Sequence, residues 1–544
     1  MSVRKHLNQM AKKKFLLFSS VFFLSFASIV YTIDDYGLSW DEPYYIVHSE
    51  KISKWFGKLI EFDAPFSREN YHEYWNYDRF HNCHPPFYKL SGIFLKNLIG
   101  RFFFHNIVYR YRVSTAFWAS VFLAFLSLYF FKVYNNMFLG IVGSCTFLSV
   151  PRFFAHTHFF ATDIMIAALG FITLYLFYDC SGNAWKTLFS SAFTGALLAT
   201  KFTGIMIFPI ALSFVFVSKN KKRFLINYLI FTVLACIFFI ILNPHAWFGI
   251  LNEVSFYFKS VLDRERIIPI PTLYWGKVYN YRLPWHHPFV MFGITLPVLI
   301  VVFAIPGIAY DLANIKDKTL FFEIVPFILL FAVFLLPNTP KHDGIRLFSM
   351  AWPFIIILFV RGTSVCSECL AKFLLKFPAS IREHIADFNK LPVTAMAILI
   401  MLNVLFSLAS IHRYHPYELS YYNKFINGPP GAVQKGFTIS YWCEALNKDS
   451  LTELSDFVKD KAIRLYSYPK KDILKWNRYF GLLDDAIDYV STVEKADYLL
   501  ILNRKLPPER YRYLSQIMVY PIVTLPDNTL VLWVGKNDTR PEND

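Results

Sequence analysis

The sequence predicts a polytopic α-helical membrane protein, with about eleven transmembrane helices and a small C-terminal extracytoplasmic α/β domain. Three observations predict it. Of 544 residues, 55% are hydrophobic and only 17% are charged, with mean hydropathy +0.36. Soluble domains carry nearer a quarter charged residues. The apolar residues are gathered into blocks instead of alternating with polar ones. Beyond about residue 412 the blocks stop and short β-prone runs begin. A disordered chain, a disulfide scaffold and an ordinary cytosolic enzyme are excluded on these grounds.

The first block, 15–33, follows Arg4, Lys5, Lys12, Lys13 and Lys14. It resembles a secretory signal, but no small-residue cleavage site follows and more apolar blocks do, so it reads as an uncleaved first span. Further blocks lie at 113–131, 137–151, 159–178, 187–199, 203–218, 224–242, 289–310, 319–337, 346–361 and 393–411. Crossing a hydrocarbon core takes about 20 helical residues, so 137–151, 187–199 and 203–218 are short.

Lys and Arg number 55 against 39 Asp and Glu, a formal net charge of +16. Much of this excess sits between apolar blocks, where it sets orientation or meets anionic lipid rather than nucleic acid. Lys186, the basic run at 219–223, Lys316, Lys318 and the basic residues of 361–392 all fall on one side of the membrane. By the positive-inside rule that side is the cytoplasm, which also holds the N-terminus. An odd number of spans places the C-terminus outside. The outside segments are then 34–112, 152–158, 243–288 and 338–345, and the membrane part is 1–411.

The remainder, 412–544, has β-prone runs at 462–468, 497–503, 517–524 and 529–534, separated by helix-like stretches at 451–461 and 471–480. Runs of that length and alternation describe an α/β domain. The seven cysteines carry no framework, and Cys366 and Cys369 form a lone CxxC without a second pair.

Ionisable residues are scarce in such a chain, so their placement is informative. Asp41 and Glu42 follow the first span, between Trp40 and Tyr44. A partly desolvated carboxylate there suits a general base; a helix cap is the plainer reading. His81 and His84 precede Pro85-Pro86, which open a helix; they read as ligands or as incidental to that helix. Arg152, His156, His158 and Asp163 crowd the outer end of the fourth span. A carboxylate entering the membrane needs a partner or a watery cavity. Lys201 lies at the same level, placed either to snorkel to headgroups or to bind a phosphate. Lys341, His342, Asp343 and Arg346 share one short outer turn, with Gly344 permitting a tight bend. All of these groups fall on one side of the membrane. A proton pump would want them at mid-depth.

Here the chain resembles the GT-C membrane glycosyltransferases, the group containing protein O-mannosyltransferases and the lipid A aminoarabinose transferase. The likeness rests on Asp41-Glu42, His84-Pro85-Pro86, the stretch from Arg152 to Asp163, and Ala199-Thr200-Lys201. The segment from Lys341 to Phe348 and the later His415-Pro416-Tyr417-Glu418 are similar to those of bacterial members. The resemblance covers about 30–360 and implies inverting transfer of a sugar from a polyprenyl-phosphate carrier. It implies as acceptor a hydroxyl or phosphate of a glycan, lipid or protein at the extracytoplasmic face of a bacterial inner membrane. It implies Asp41 as general base with Glu42 assisting, and Lys201 and Arg346 on the lipid phosphate. Arg152, His156 and Asp163 would shape the pocket, with His84, His158, Lys341, His342 and Asp343 as further substrate contacts. Some members bind a divalent metal through Glu and His, but His84 stands where the aminoarabinose transferase has an acidic residue, so no metal ligand is assigned. Two other classes remain: a transporter or lipid-handling scaffold with an exported sensor domain, and a ligase or polymerase of lipid-linked oligosaccharides.

Overall fold

The structure, a computed structural model, describes residues 2–63, 66–75, 84–180, 183–262, 270–280, 282–376, 390–459, 463–468, 472–484 and 487–537. His81 lies outside these. The chain is a polytopic helical membrane protein, and helical structure occupies every expected apolar block. Six helices among the described residues are long and apolar enough to cross a membrane: Asn8–Tyr31, Ile107–Tyr134, Lys221–Leu242, Lys318–Leu335, Arg346–Leu374 and Leu391–Tyr414. Four shorter apolar helical stretches, Met137–Ser149, Thr162–Tyr178, Phe202–Val217 and Val298–Ala313, accompany them.

Side-chain caps set several helix starts. Asn106 accepts from the Val108 N–H, Asn136 from Leu139, Asn220 from Arg223, and Asp317 from both Thr319 and Leu320. Each satisfies a donor that the first turn leaves open. Two expected spans are interrupted. The 289–310 block breaks after helix His287–Thr295, because Pro297 pushes Leu296 into an extended conformation before Val298–Ala313 begins. The 203–218 block is a 3-10 turn, a short helix from Ile207 to Ser213, and another 3-10 turn, with Pro209 lacking the N–H a continuous helix needs. Helices Val298–Ala313 and Trp352–Leu374 approach so closely that a Cβ on Gly307 would lie 2.0 Å from the Leu358 carbonyl oxygen. Small residues permit such contact between membrane helices.

Outside the bundle, helices Glu42–Ile60, Arg68–Trp75 and Phe87–Leu98 pack around Trp55, Tyr71 and Trp75, and strands β1 (Thr272–Tyr274) and β2 (Lys277–Tyr279) form a hairpin. The C-terminal sheet contains β3 (Arg464–Tyr468), β4 (Asp488–Tyr489), β5 (Tyr498–Leu502), β6 (Met518–Thr524) and β7 (Leu530–Lys536), in the order β4-β3-β5-β7-β6. Strand β3 runs parallel to both neighbours, and β7 runs antiparallel to β5 and β6.

Between bundle and sheet, residues 415–447 form a largely buried connection. Asn423 donates to the Gly293 and Leu296 carbonyls, the Trp40 N–H donates to the Trp442 carbonyl at 2.7 Å, and the Ser440 N–H reaches the Asn503 carbonyl. The expected boundary near residue 412 is therefore followed by a segment that packs on both parts.

Candidate functional site

The ends of several helices meet at one guanidinium. After the turn at Asp343 and Gly344, both in the left-handed region at φ 56° and 68°, Arg346 opens a 3-10 turn leading into helix Trp352–Leu374. A non-glycine residue there is strained and is held by its surroundings. Arg346 Nη1 donates to Asp41 Oδ2 at 2.9 Å, and Nη2 donates to Asp343 Oδ2 at 2.8 Å. Asp163 Oδ2 lies 3.8 Å from Nη1, and Lys201 Nζ donates to Asp163 Oδ1 at 2.9 Å. The Arg346 guanidinium lies 4.7 Å from the Trp442 ring centre, and the Trp442 indole N–H donates to Asp41 Oδ2 at 3.1 Å. Lys505, from the C-terminal domain and itself at φ 60°, places Nζ 3.8 Å from Asp343 Oδ1.

The three carboxylates are not equivalent. The Asp41 side chain is 24% exposed, Asp343 4% and Asp163 1%, so Asp41 is the one an incoming group reaches. Burial disfavours charge on Asp343, but Arg346 and Lys505 outweigh it and hold its carboxyl well below the usual carboxylate range. His156, buried between Trp352 and Trp442, exchanges a hydrogen bond with the Tyr441 hydroxyl at 2.9 Å. Burial pushes its imidazole down to about 3, so it is a neutral wall of the site at ordinary pH.

Glu42, one residue beyond Asp41, has the opposite environment. It is fully buried, and its Oε1 accepts from Arg112 Nε at 2.8 Å and the Phe160 N–H at 2.9 Å. Its Oε2 accepts from Arg112 Nη2 and the Ser39 N–H, both at 2.8 Å. Arg112 also donates to the carbonyls of Ile33, Tyr36 and Gly37. A direct role for Glu42 at a reacting hydroxyl does not fit a carboxylate with no exposed surface and four donors already in place. It fixes the loop that carries Asp41 instead.

His158 is also placed elsewhere. Its ring stacks on Tyr36 at 4.4 Å, with Nε2 on the Thr32 hydroxyl and Nδ1 on the Phe154 carbonyl, so both nitrogens are used in packing. Lys341 donates to the Leu336 and Thr339 carbonyls, closing the C-terminal end of helix Lys318–Leu335. His342 is buried beside Asp343. His84 is half-buried with its ring 6.3 Å from that of Tyr45. Arg152 donates to the Tyr421 carbonyl and lies 4.6 Å from the Tyr422 ring. A Cβ on Gly344 would sit 2.9 Å from Arg152 Nη1, so this arginine supports the turn before Arg346.

Sequence reasoning missed Arg112, Trp442, Tyr441 and Lys505. The pair Tyr441-Trp442 was the one available signal, an aromatic couple in a polar connecting segment. Among the described residues, no three His, Cys, Asp or Glu side chains gather as a metal site. Beside the cluster, an apolar cavity of about 20 Å³ is lined by Thr203, Met206, Phe334, Leu347, Phe348 and Met350. Thr203 lies two residues beyond Lys201, and Leu347 follows Arg346.

No protein-family model matches the chain, and no curated protein matches it. Among solved structures it is similar to ArnT from Cupriavidus metallidurans bound to undecaprenyl phosphate, at 12% identity and TM-score 0.48, over 96% of this chain and 98% of that one. It is also similar to the archaeal oligosaccharyltransferase AglB from Archaeoglobus fulgidus in complex with an inhibitory peptide and a dolichol-phosphate. That match has 14% identity and TM-score 0.46, over 85% of this chain and 59% of that one.

Proposed function

We propose that this chain is an inverting glycosyltransferase of GT-C type, moving a sugar from a polyprenyl-phosphate carrier to an acceptor hydroxyl or phosphate. One observation carries the reading: Arg346 joins Asp41 to Asp343 and approaches Asp163, which Lys201 also binds. This brings a reachable carboxylate and two cations together at the end of a bundle of long apolar helices. The work such an arrangement suits is handling an amphiphile with an anionic head and an apolar tail.

In the transfer, an acceptor oxygen attacks the anomeric carbon from the face opposite the phosphate. The new carbon–oxygen bond forms as the bond to the phosphate oxygen breaks, and its electron pair leaves with the phosphate. Asp41 takes the acceptor proton, a contribution of about 10²–10⁴ in rate for a positioned base. Arg346 and Lys201 stabilise the charge that builds on the departing phosphate. Glu42 and Arg112 act indirectly, by fixing the loop that presents Asp41. The basic segments between helices support a cytoplasmic N-terminus, with this cluster on the extracytoplasmic face of a bacterial inner membrane.

The test is incubation of purified protein with a panel of polyprenyl-phosphate sugars, measuring free polyprenyl phosphate by mass spectrometry. Release that depends on Asp41 and Arg346 is expected. Transport of labelled sugar with no glycosidic bond made would replace this reading with a transporter.

A further inference from the structure

Both terminal nitrogens of Arg346 are taken at rest, Nη1 by Asp41 and Nη2 by Asp343, and Lys201 is bound to Asp163. A lipid phosphate that Arg346 is to hold through a terminal nitrogen must therefore take the place of one of these carboxylates.

The geometry identifies which one. Asp163 is 1% exposed and held by Lys201 at 2.9 Å. Asp343 is 4% exposed and lies between Arg346 and Lys505. Asp41 is 24% exposed, its partner on this arginine is Nη1 alone, and it keeps a neutral donor in the Trp442 indole. Releasing Asp41 from Nη1 therefore leaves it hydrogen-bonded and solvated, whereas releasing either of the others strands a buried charge.

Resting on the transfer reading above, we propose that Asp41 and the donor phosphate occupy the same Nη1 face of Arg346 in turn, so that the base is masked until the donor is seated. No covalent bond changes in the exchange; one oxyanion replaces another. While Arg346 binds it, Asp41 Oδ2 already accepts two hydrogen bonds, from Nη1 and from the Trp442 indole. When phosphate takes Nη1, that oxygen opens to an acceptor hydroxyl while Trp442 holds the side chain in position. Donor binding thus precedes activation of the acceptor, and the empty site does not activate water. After transfer, Asp41 gives its proton to solvent and returns to Nη1, helping to expel the polyprenyl phosphate.

The exchange predicts a sign that a simple contact role does not: neutralising Asp41 should tighten the binding of the lipid phosphate. The experiment measures undecaprenyl phosphate binding to purified full-length protein by native mass spectrometry, comparing wild type, Asp41→Asn, Asp41→Ala and Arg346→Ala. A melting curve for each variant reports folding. Both Asp41 variants are expected to bind about tenfold more tightly than wild type, while Arg346→Ala binds more weakly. Unchanged or weaker binding in both Asp41 variants, with Arg346→Ala still impaired, overturns the exchange and leaves the transfer reading standing. No binding to any folded form overturns both.

Discussion

Two arginines gather carboxylates at opposite ends of the helical bundle, and they do so in different ways. Arg361 spends both Nε and Nη2 on a single partner, Glu323, at 2.8 and 2.6 Å, while the Tyr129 hydroxyl donates to the same carboxylate at 2.6 Å. Asp311 lies 3.7 Å from Nε, and neither carboxylate is more than 1% exposed. Arg346 instead divides its two terminal nitrogens between Asp41 and Asp343, and one of those partners is open. A bidentate pair to a sealed carboxylate is a strap between helices, whereas a divided guanidinium with one accessible carboxylate can exchange it. A cavity of about 370 Å³ opens beside Arg361, far larger than the apolar cavity beside Arg346. The proposed chemistry follows the accessible carboxylate and not the available volume.

The comparison breaks most sharply at the reacting end. Asp41→Asn is expected to lower sugar transfer by about 10²–10⁴ in a polyprenyl phosphate release assay, with little change in melting temperature; Arg346→Ala lowers transfer as well, but also the melting temperature, because it strands the buried Asp343. Arg361→Ala should do the reverse. It strands Glu323 in the bundle at a cost of about 3–5 kcal/mol, seen as a lower melting temperature with transfer per folded molecule retained. Equal loss of transfer in both variants would erase the distinction between the two ends.

A smaller effect is expected from Trp442→Phe, which keeps the ring under Arg346 and removes the N–H to Asp41. A hydrogen bond to a charged group contributes about 1.5–3 kcal/mol, so transfer should fall by roughly ten- to a hundredfold. Measuring kcat and KM separately locates the loss in positioning of the base.

The smallest effect concerns the junction between bundle and connecting segment. The His415 ring bonds Glu418 at 2.7 Å and Asp35 at 2.9 Å. Burial works against its charge, but these two carboxylates prevail and raise it from 6.5 to about 9. A histidine raised in the folded state contributes stability that is complete below its unfolded value and lost as pH rises through the folded one. Stability should therefore decline modestly between about pH 6.5 and 9, and His415→Gln should flatten that slope in pH-dependent melts.

Asp41 and Glu42 show where sequence reading succeeds and where it stops. That an acidic pair follows the first apolar block, at the level of Asp163, Lys201 and Arg346, is legible because sidedness is set by counting blocks and basic loops. Which of the two faces the site is not legible. Asp41 occupies the N-cap of helix Glu42–Ile60, and Glu42 opens that helix with its side chain turned to Arg112, which lies 70 residues further on. His158, expected as a substrate contact, sits in packing for a similar reason: histidines two residues apart, 156 and 158, place their rings in different networks once the chain turns after Pro151–His156. Trp442 and Lys505 lie outside the apolar blocks, and only tertiary packing gives them a role: residues 415–447 fold back on the segment after the first helix, and Lys505 meets Asp343.

By itself, the sequence determined the helical membrane class, the positions of the apolar segments and of strands β3, β5, β6 and β7, and the grouping of Asp41, Asp163, Lys201 and Arg346 at one level. Those properties depend on local composition and on the period of the backbone, which neighbouring residues settle among themselves. Tertiary structure alone decided that Arg346 meets a carboxylate 305 positions away, that Glu42 is sealed while Asp41 is open, and that the C-terminal domain supplies a lysine to the cluster. Ion pairs act over a few ångströms in space whatever the distance along the chain, so partners are chosen only when helices and loops have packed.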